Sequence, residues 1–145
     1  MTPGNELIDI KELNEIKKIF TKSNGVLFAH GFDKRRNKIF RVREFEKKIS
    51  KKFGSKYVQC VSSGTAAIKI ALKSLGVKSG DEVITQSFNF IATIEAILDC
   101  GAKPIITGIN NDLNMPVEEI SKLITKKTKA VILVHMLGYS AEINK

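Results

Sequence analysis

Cysteine is scarce in this chain of 145 residues, which has two. Cys60 and Cys100 form no CxxC pair and no metal-ligand spacing, which excludes a zinc ribbon or a dithiol redox motif. Cys60 falls in an expected apolar strand and Cys100 at the end of an expected apolar helix, so both read as buried, reduced and structural. Long apolar runs are missing too. Nothing approaches the roughly 20 residues that span a bilayer, and Met1-Thr2-Pro3-Gly4-Asn5-Glu6 lacks the basic and apolar segments of a secretory signal. Cytoplasmic residence with no membrane partner is the expectation. Acidic residues are few, 15 against 24 Lys and Arg, for a formal charge of +9. Such an excess raises nucleic acid as a partner. The lysines, however, lie along helix faces, as at Lys47, Lys48, Lys51 and Lys52, and no aromatic residues are interleaved as a stacking platform. No nucleic-acid partner is expected. The chain also has no internal repeat and no low-complexity tract.

What is present is a soluble globular composition, 43% hydrophobic and 27% charged, long enough for one domain with a real core. Leu13, Ile16 and Phe20 mark an amphipathic first helix. A polar, glycine-punctuated stretch runs from Ser23 to about Phe40. Val42, Phe45, Ile49 and Phe53 then form a helical stripe that Gly54 ends. Beyond it, strands and helices alternate. Strands are expected at Tyr57 to Val61, Glu82 to Thr85, Pro104 to Thr107 and Ala130 to Val134. Between them lie helices at Thr65 to Leu75, at about Phe90 to Asp99, and around Val117, Ile120 and Ile124. Short strands that are apolar throughout, separated by helices, predict an α/β fold with a parallel sheet covered on both faces. A sheet of four strands is small, and after His135 a covering helix is only starting at Lys145. The sequence therefore reads as incomplete.

The most informative segment is Ser62-Ser63-Gly64-Thr65-Ala66-Ala67, between the first expected strand and its helix. A turn there presents unpaired backbone N–H groups at the positive end of the helix dipole. Gly64 admits an anion close to the backbone, and the hydroxyls of Ser63 and Thr65 can cap the helix or bind phosphate oxygens. The plainer reading of the same residues is an N-cap with no ligand.

The order of motifs resembles a known family. Val42-Arg43-Glu44-Phe45-Glu46, the Ser62 to Ala67 turn and Gly80-Asp81-Glu82-Val83-Ile84 come first. Ser87-Phe88-Asn89-Phe90-Ile91-Ala92-Thr93, Gly101-Ala102-Lys103-Pro104 and Thr128 to Gly138 follow. Together they are similar to the N-terminal part of the DegT/DnrJ/EryC1/StrS sugar aminotransferases, fold-type I enzymes dependent on pyridoxal 5'-phosphate. The resemblance implies an N-terminal helix and basic loop over residues 1–41. The first part of a pyridoxal-phosphate-binding α/β domain would follow over residues 42–145, as a truncated fold-type I large domain with a parallel-rich sheet.

It also implies site residues. Ser63, Gly64 and Thr65 would hold the cofactor phosphate. Phe90 matches the aromatic position that stacks on the pyridine ring; by itself it reads as a core aromatic opening a helix. His135 ends a strand at the carboxyl edge of the sheet, where open α/β folds place ligands; a hydrogen-bonded structural histidine is the other reading. Glu82 is read as structural. The segment Gly31 to Lys38 is longer and more basic than the usual family turn, and is similar to a branch that aminates an eight-carbon keto-sugar acid. Arg35 or Arg36 would then receive a carboxylate; otherwise the loop is solvated charge. One departure is Thr107-Gly108-Ile109-Asn110, where the family carries acidic residues.

The family's covalent lysine and its aspartate for the pyridine nitrogen match no position up to Lys145, so no catalytic residue is assigned. The resemblance implies amino transfer, from glutamate as donor, to a keto sugar in polysaccharide or glycan synthesis, by a homodimer. A deoxygenating dehydratase of the same family and a non-catalytic domain that binds a phosphate ligand are the alternatives.

Overall fold

The computed structural model describes residues 7–28 and 30–141, in two compact units that divide between Cys60 and Val61. The first unit holds two helices. Helix α1 (Ile10–Lys22) opens on a capping box: Asp9 accepts the Lys11 N–H at 2.7 Å and Glu12 accepts the Asp9 N–H at 2.8 Å. Helix α2 (Arg41–Phe53) ends at Gly54, whose φ of 69° is the left-handed cap that glycine adopts without penalty. Both helices form where their stripes predict. The stripes are not buried, though: Leu13, Ile16, Phe20, Phe45 and Phe53 are exposed, and Val42 and Ile49 are half-buried.

The second unit is the α/β part. Its elements are α3 (Gly64–Ser74), β1 (Glu82–Gln86), α4 (Ala92–Asp99), β2 (Lys103–Thr107), α5 (Val117–Leu123) and β3 (Thr128–Ile132). The strands form a parallel sheet in the order β2-β1-β3. Central β1 is buried from Val83 to Gln86, as a strand flanked by two neighbours in a parallel sheet is, and the buried set includes the polar Thr85 and Gln86. The core is Leu72, Val77, Val83, Ile97, Cys100 and Ala102, with Ile68, Ala130 and Ile132 packed around it. Full burial of each larger aliphatic side chain contributes about 1.5–3 kcal/mol.

Two expectations are corrected. Tyr57 to Val61 is not a strand, so the sheet has three strands among the described residues instead of four. An apolar run makes a strand only where a neighbour takes its backbone groups. Here the Glu46 carboxylate accepts the Cys60 N–H at 2.8 Å, while Tyr57 and Gln59 stay exposed. Cys60 is accordingly half-buried and off any strand, whereas Cys100 is buried; both are free thiols. The last strand lies two residues earlier than its apolar run, at Thr128–Ile132. It pairs with β1 alone and alternates half-buried with exposed residues, as an edge strand does. No described helix is long and apolar enough to cross a membrane.

Candidate functional site

Parallel strands put the chain segments that leave them on one edge. The loop Ser87–Ile91 leaves β1 and the segment Leu133–Gly138 leaves β3 at that carboxyl edge, with Thr85 in register with Ile132. Helix α3 points its N-terminus the same way. Its later residues meet the end of α4: Lys69 pairs with Asp99 at 2.8 Å, and the Lys73 ammonium donates to the Cys100 carbonyl at 3.1 Å. Cys100 leads through Gly101 and Ala102 into the first residue of β2. The start of α3 therefore lies at the opposite end, the edge to which β1 delivers Phe90.

The Ser62–Thr65 turn is open. Ser63 is the N-cap and its hydroxyl accepts the Ala66 N–H at 3.1 Å, while its carbonyl accepts the Ala67 N–H at 3.0 Å. Among the described residues the N–H groups of Gly64 and Thr65 have no protein acceptor, as the first turn of a helix leaves them. A Cβ built on Gly64 would meet nothing within 4 Å. The hydroxyl of Ser63 thus satisfies one donor of the first turn, and two more are left without a protein acceptor among the described residues.

Phe90 is not a core residue. It is 75% exposed, and its carbonyl accepts the Thr93 N–H at 3.1 Å as α4 begins. The buried start of α4 is Ala92 and Thr93 instead. His135 precedes the single turn Met136–Gly138, and its Nδ1 accepts the Ala141 N–H at 3.1 Å. With Nδ1 accepting, Nε2 is the ring nitrogen that can donate, and the residue is exposed. Glu82 is structural: its carboxylate accepts the Thr125 hydroxyl at 2.6 Å. In the segment Thr107 to Asn110, Glu119 of α5 accepts the Gly108 N–H at 2.8 Å.

The two candidate arginines, Arg35 and Arg36, differ. Arg36 is 3% exposed; its Nε donates to the Gly31 carbonyl at 2.5 Å and its Nη2 to the Phe28 carbonyl. It clamps the loop from within, with both of these donors engaged. Arg35 is exposed and lines a pocket of about 430 Å³ with Asn24, Gly25, Val26, Phe28 and Phe32. Phe28 and Phe32 stack there with ring centroids 5.2 Å apart. Phe32 holds φ at +55°, a left-handed conformation that is strained for a bulky residue and persists because the clamp dictates it.

Sequence reasoning missed Glu46, which accepts the Cys60 N–H and lies 3.6 Å from the His30 ring. It also missed Gln86, whose amide is fully buried at the end of β1. The available signal was a glutamine directly after the expected strand Glu82 to Thr85.

Comparison with known proteins follows the same segment. The chain is 37% identical over 103 residues to a GDP-perosamine synthase of Vibrio cholerae, covering 70% of this chain and 28% of that protein. The structure of NtdA from Bacillus subtilis with bound cofactor PMP superposes with a TM-score of 0.75 at 34% identity, over 92% of this chain and 29% of that one. Helicobacter pylori PseC, an aminotransferase involved in the biosynthesis of pseudoaminic acid, gives 0.77 at 27% identity, over 93% and 34%. This chain thus spans about a third or less of each relative's length. Matched over residues 35–145, it belongs to the DegT/DnrJ/EryC1/StrS aminotransferase family.

Proposed function

We propose that this chain is the cofactor-holding part of an aminotransferase that uses pyridoxal 5'-phosphate to move an amino group, with glutamate as donor, onto a keto sugar. The observation that carries the reading is the open N-terminus of α3 at the sheet edge that also bears the exposed ring of Phe90. The residues fit the cofactor: two free N–H donors and the Thr65 hydroxyl suit a phosphate, and an exposed aromatic ring suits a flat heterocycle. When bound, the cofactor supplies an electron-accepting ring that stabilises negative charge on a substrate carbon.

The chain's own residues bind and orient. Gly64 and Thr65 neutralise phosphate charge with backbone dipoles, and Ser63 keeps the turn in shape. Phe90 covers one ring face and excludes water from it. His135 offers its Nε2–H as a hydrogen-bond donor at the same edge. Arg35, in its aromatic-walled pocket, receives the carboxylate of an acidic keto sugar. The intact enzyme acts in the cytoplasm, in glycan synthesis, as a homodimer.

The test is a pair of substitutions in the intact protein. Thr65→Val keeps the shape and removes the hydroxyl, so cofactor affinity should fall by about 1–3 kcal/mol. Phe90→Ala should weaken cofactor retention with the fold unchanged. Full affinity in both variants would refute the site. Binding without amino transfer to any keto sugar would favour a non-catalytic domain or the deoxygenating relatives. The 145-residue chain by itself is expected not to transaminate, because no lysine in it matches the family's covalent position. Reduction with borohydride in the presence of pyridoxal phosphate should then label no single lysine; a stoichiometric label on one would overturn that expectation.

A further inference from the structure

β1 ends on Gln86, an amide side chain with no exposed surface. Its Nε2 donates to the Phe88 carbonyl at 3.0 Å and to the Leu113 carbonyl at 3.1 Å. One side chain thereby ties the loop after β1 to the loop after β2. The same loop is held from two further sides. Asn89 Nδ2 donates to the Gln86 carbonyl and, at 3.4 Å, to the Thr85 hydroxyl, which itself donates to the Ile132 carbonyl at 3.2 Å. The Ser87 N–H donates to the Thr107 carbonyl at 3.0 Å. All three strand ends therefore converge on residues 87–89, directly before Phe90.

The arrangement is more than local packing requires. A buried amide is costly unless its groups are paired, and the Gln86 Oε1 has no partner among the described residues. An apolar residue would fill the strand end without leaving an orphan acceptor. What it would lose is the pair of donors that hold the carbonyls of Phe88 and Leu113, the latter in a left-handed backbone with φ of 63°. A loop that presents an exposed aromatic ring has no core contact of its own to fix the ring, so its geometry must come from such tethers.

We propose that Gln86 is a positioning residue: through Phe88 and Asn89 it sets the orientation of the Phe90 ring against the cofactor. The inference rests on the reading of Phe90 as the residue that stacks on pyridoxal phosphate. The residues of this chain include no tryptophan, so Phe90→Trp introduces a reporter at the ring position. In the intact protein, with any other tryptophan changed to phenylalanine, that variant tests the underlying reading, because bound pyridoxal phosphate must quench its emission. No quenching there would refute the role of Phe90 itself. Gln86→Met, which keeps the length and removes both donors, is then added to the reporter. Cofactor affinity should fall about tenfold, and acrylamide should reach the cofactor-free reporter more readily. Ile97→Val, a change in the core of α4, serves as the control for general destabilisation and should leave both readouts in place. Unchanged affinity and quenching in Gln86→Met, or an equal shift in Ile97→Val, would overturn the proposal. If Gln86→Met does not fold, Asn89→Ala removes the second tether from the loop; an unchanged reporter in that variant overturns it as well.

Discussion

Arg35 and Arg36 are adjacent in sequence, and their environments separate two effects that a single substitution would confuse. Arg36, itself buried, holds the carbonyls of Gly31 and Phe28 from within the loop, so Arg36→Met removes two part-buried hydrogen bonds. A loss of about 1–3 kcal/mol is expected, read as a lower denaturant midpoint. Arg35 is exposed and its side chain makes no such bond among the described residues, so Arg35→Met should change stability by less than about 0.5 kcal/mol. Under the proposed function, Arg35→Met should lower turnover of an acidic keto sugar and leave a neutral one nearly untouched. Equal losses on both substrates would remove Arg35 from the carboxylate role. Phe90 is a similar case. Its ring contributes little to the core, so Phe90→Ala should keep the melting temperature while cofactor is lost.

At the level of elements, the ends of the helices matter more than their middles. Ser63→Ala removes the α3 cap and should cost about 1 kcal/mol, read by chemical denaturation. Gly101, between α4 and β2, combines φ of 79° with a built Cβ only 3.3 Å from the Ser79 backbone. Gly101→Ala therefore meets both strain and a clash with main chain, and should destabilise the protein more than Gly54→Ala, whose cap is open to solvent. The α3–α4 pair adds an electrostatic contact. A hydrogen bond from Lys69 to Asp99 raises the Lys69 pKa above the usual lysine range. A group whose pKa is raised by folding stabilises the fold below its unfolded pKa, and that stability is lost as pH rises through the folded value. The contribution should therefore disappear only in strongly alkaline solution. Because both side chains are partly open to solvent, 44% and 59% exposed, it should also fade with added salt, and Lys69→Met should abolish both dependences.

Across the whole molecule the distribution of phenylalanine is unusual. Of eight, seven are exposed and Phe40 is half-buried. Aromatic side chains of that size normally supply core or interface. Phe90 and the Phe28–Phe32 pair have ligand roles in the proposed function; Phe20, Phe45 and Phe53 lie on helix stripes with no cover among the described residues. The 145-residue chain, spanning 28% of the GDP-perosamine synthase it matches, is accordingly expected to associate as its concentration rises and to bind a hydrophobic dye. Sedimentation across a concentration series checks this, and a dilute, dye-free monomer would refute it.

What could be read from the sequence alone was the local and periodic part. Amphipathic stripes, cap residues and the Ser62 to Thr65 turn follow from side-chain chemistry within a few positions, and α1, α2, α3 and α4 appear where those signals lie. Only the tertiary structure settled what depends on a partner far along the chain. Whether Tyr57 to Val61 becomes a strand is decided by the backbone beside it, not by its apolar residues. Which arginine is free is decided by the carbonyls that enclose Arg36. The weight carried by Gln86 comes from Phe88 and Leu113, and Leu113 is 27 positions away. Hydrophobic period is a property of neighbours in sequence, whereas hydrogen-bond satisfaction and burial are properties of neighbours in space.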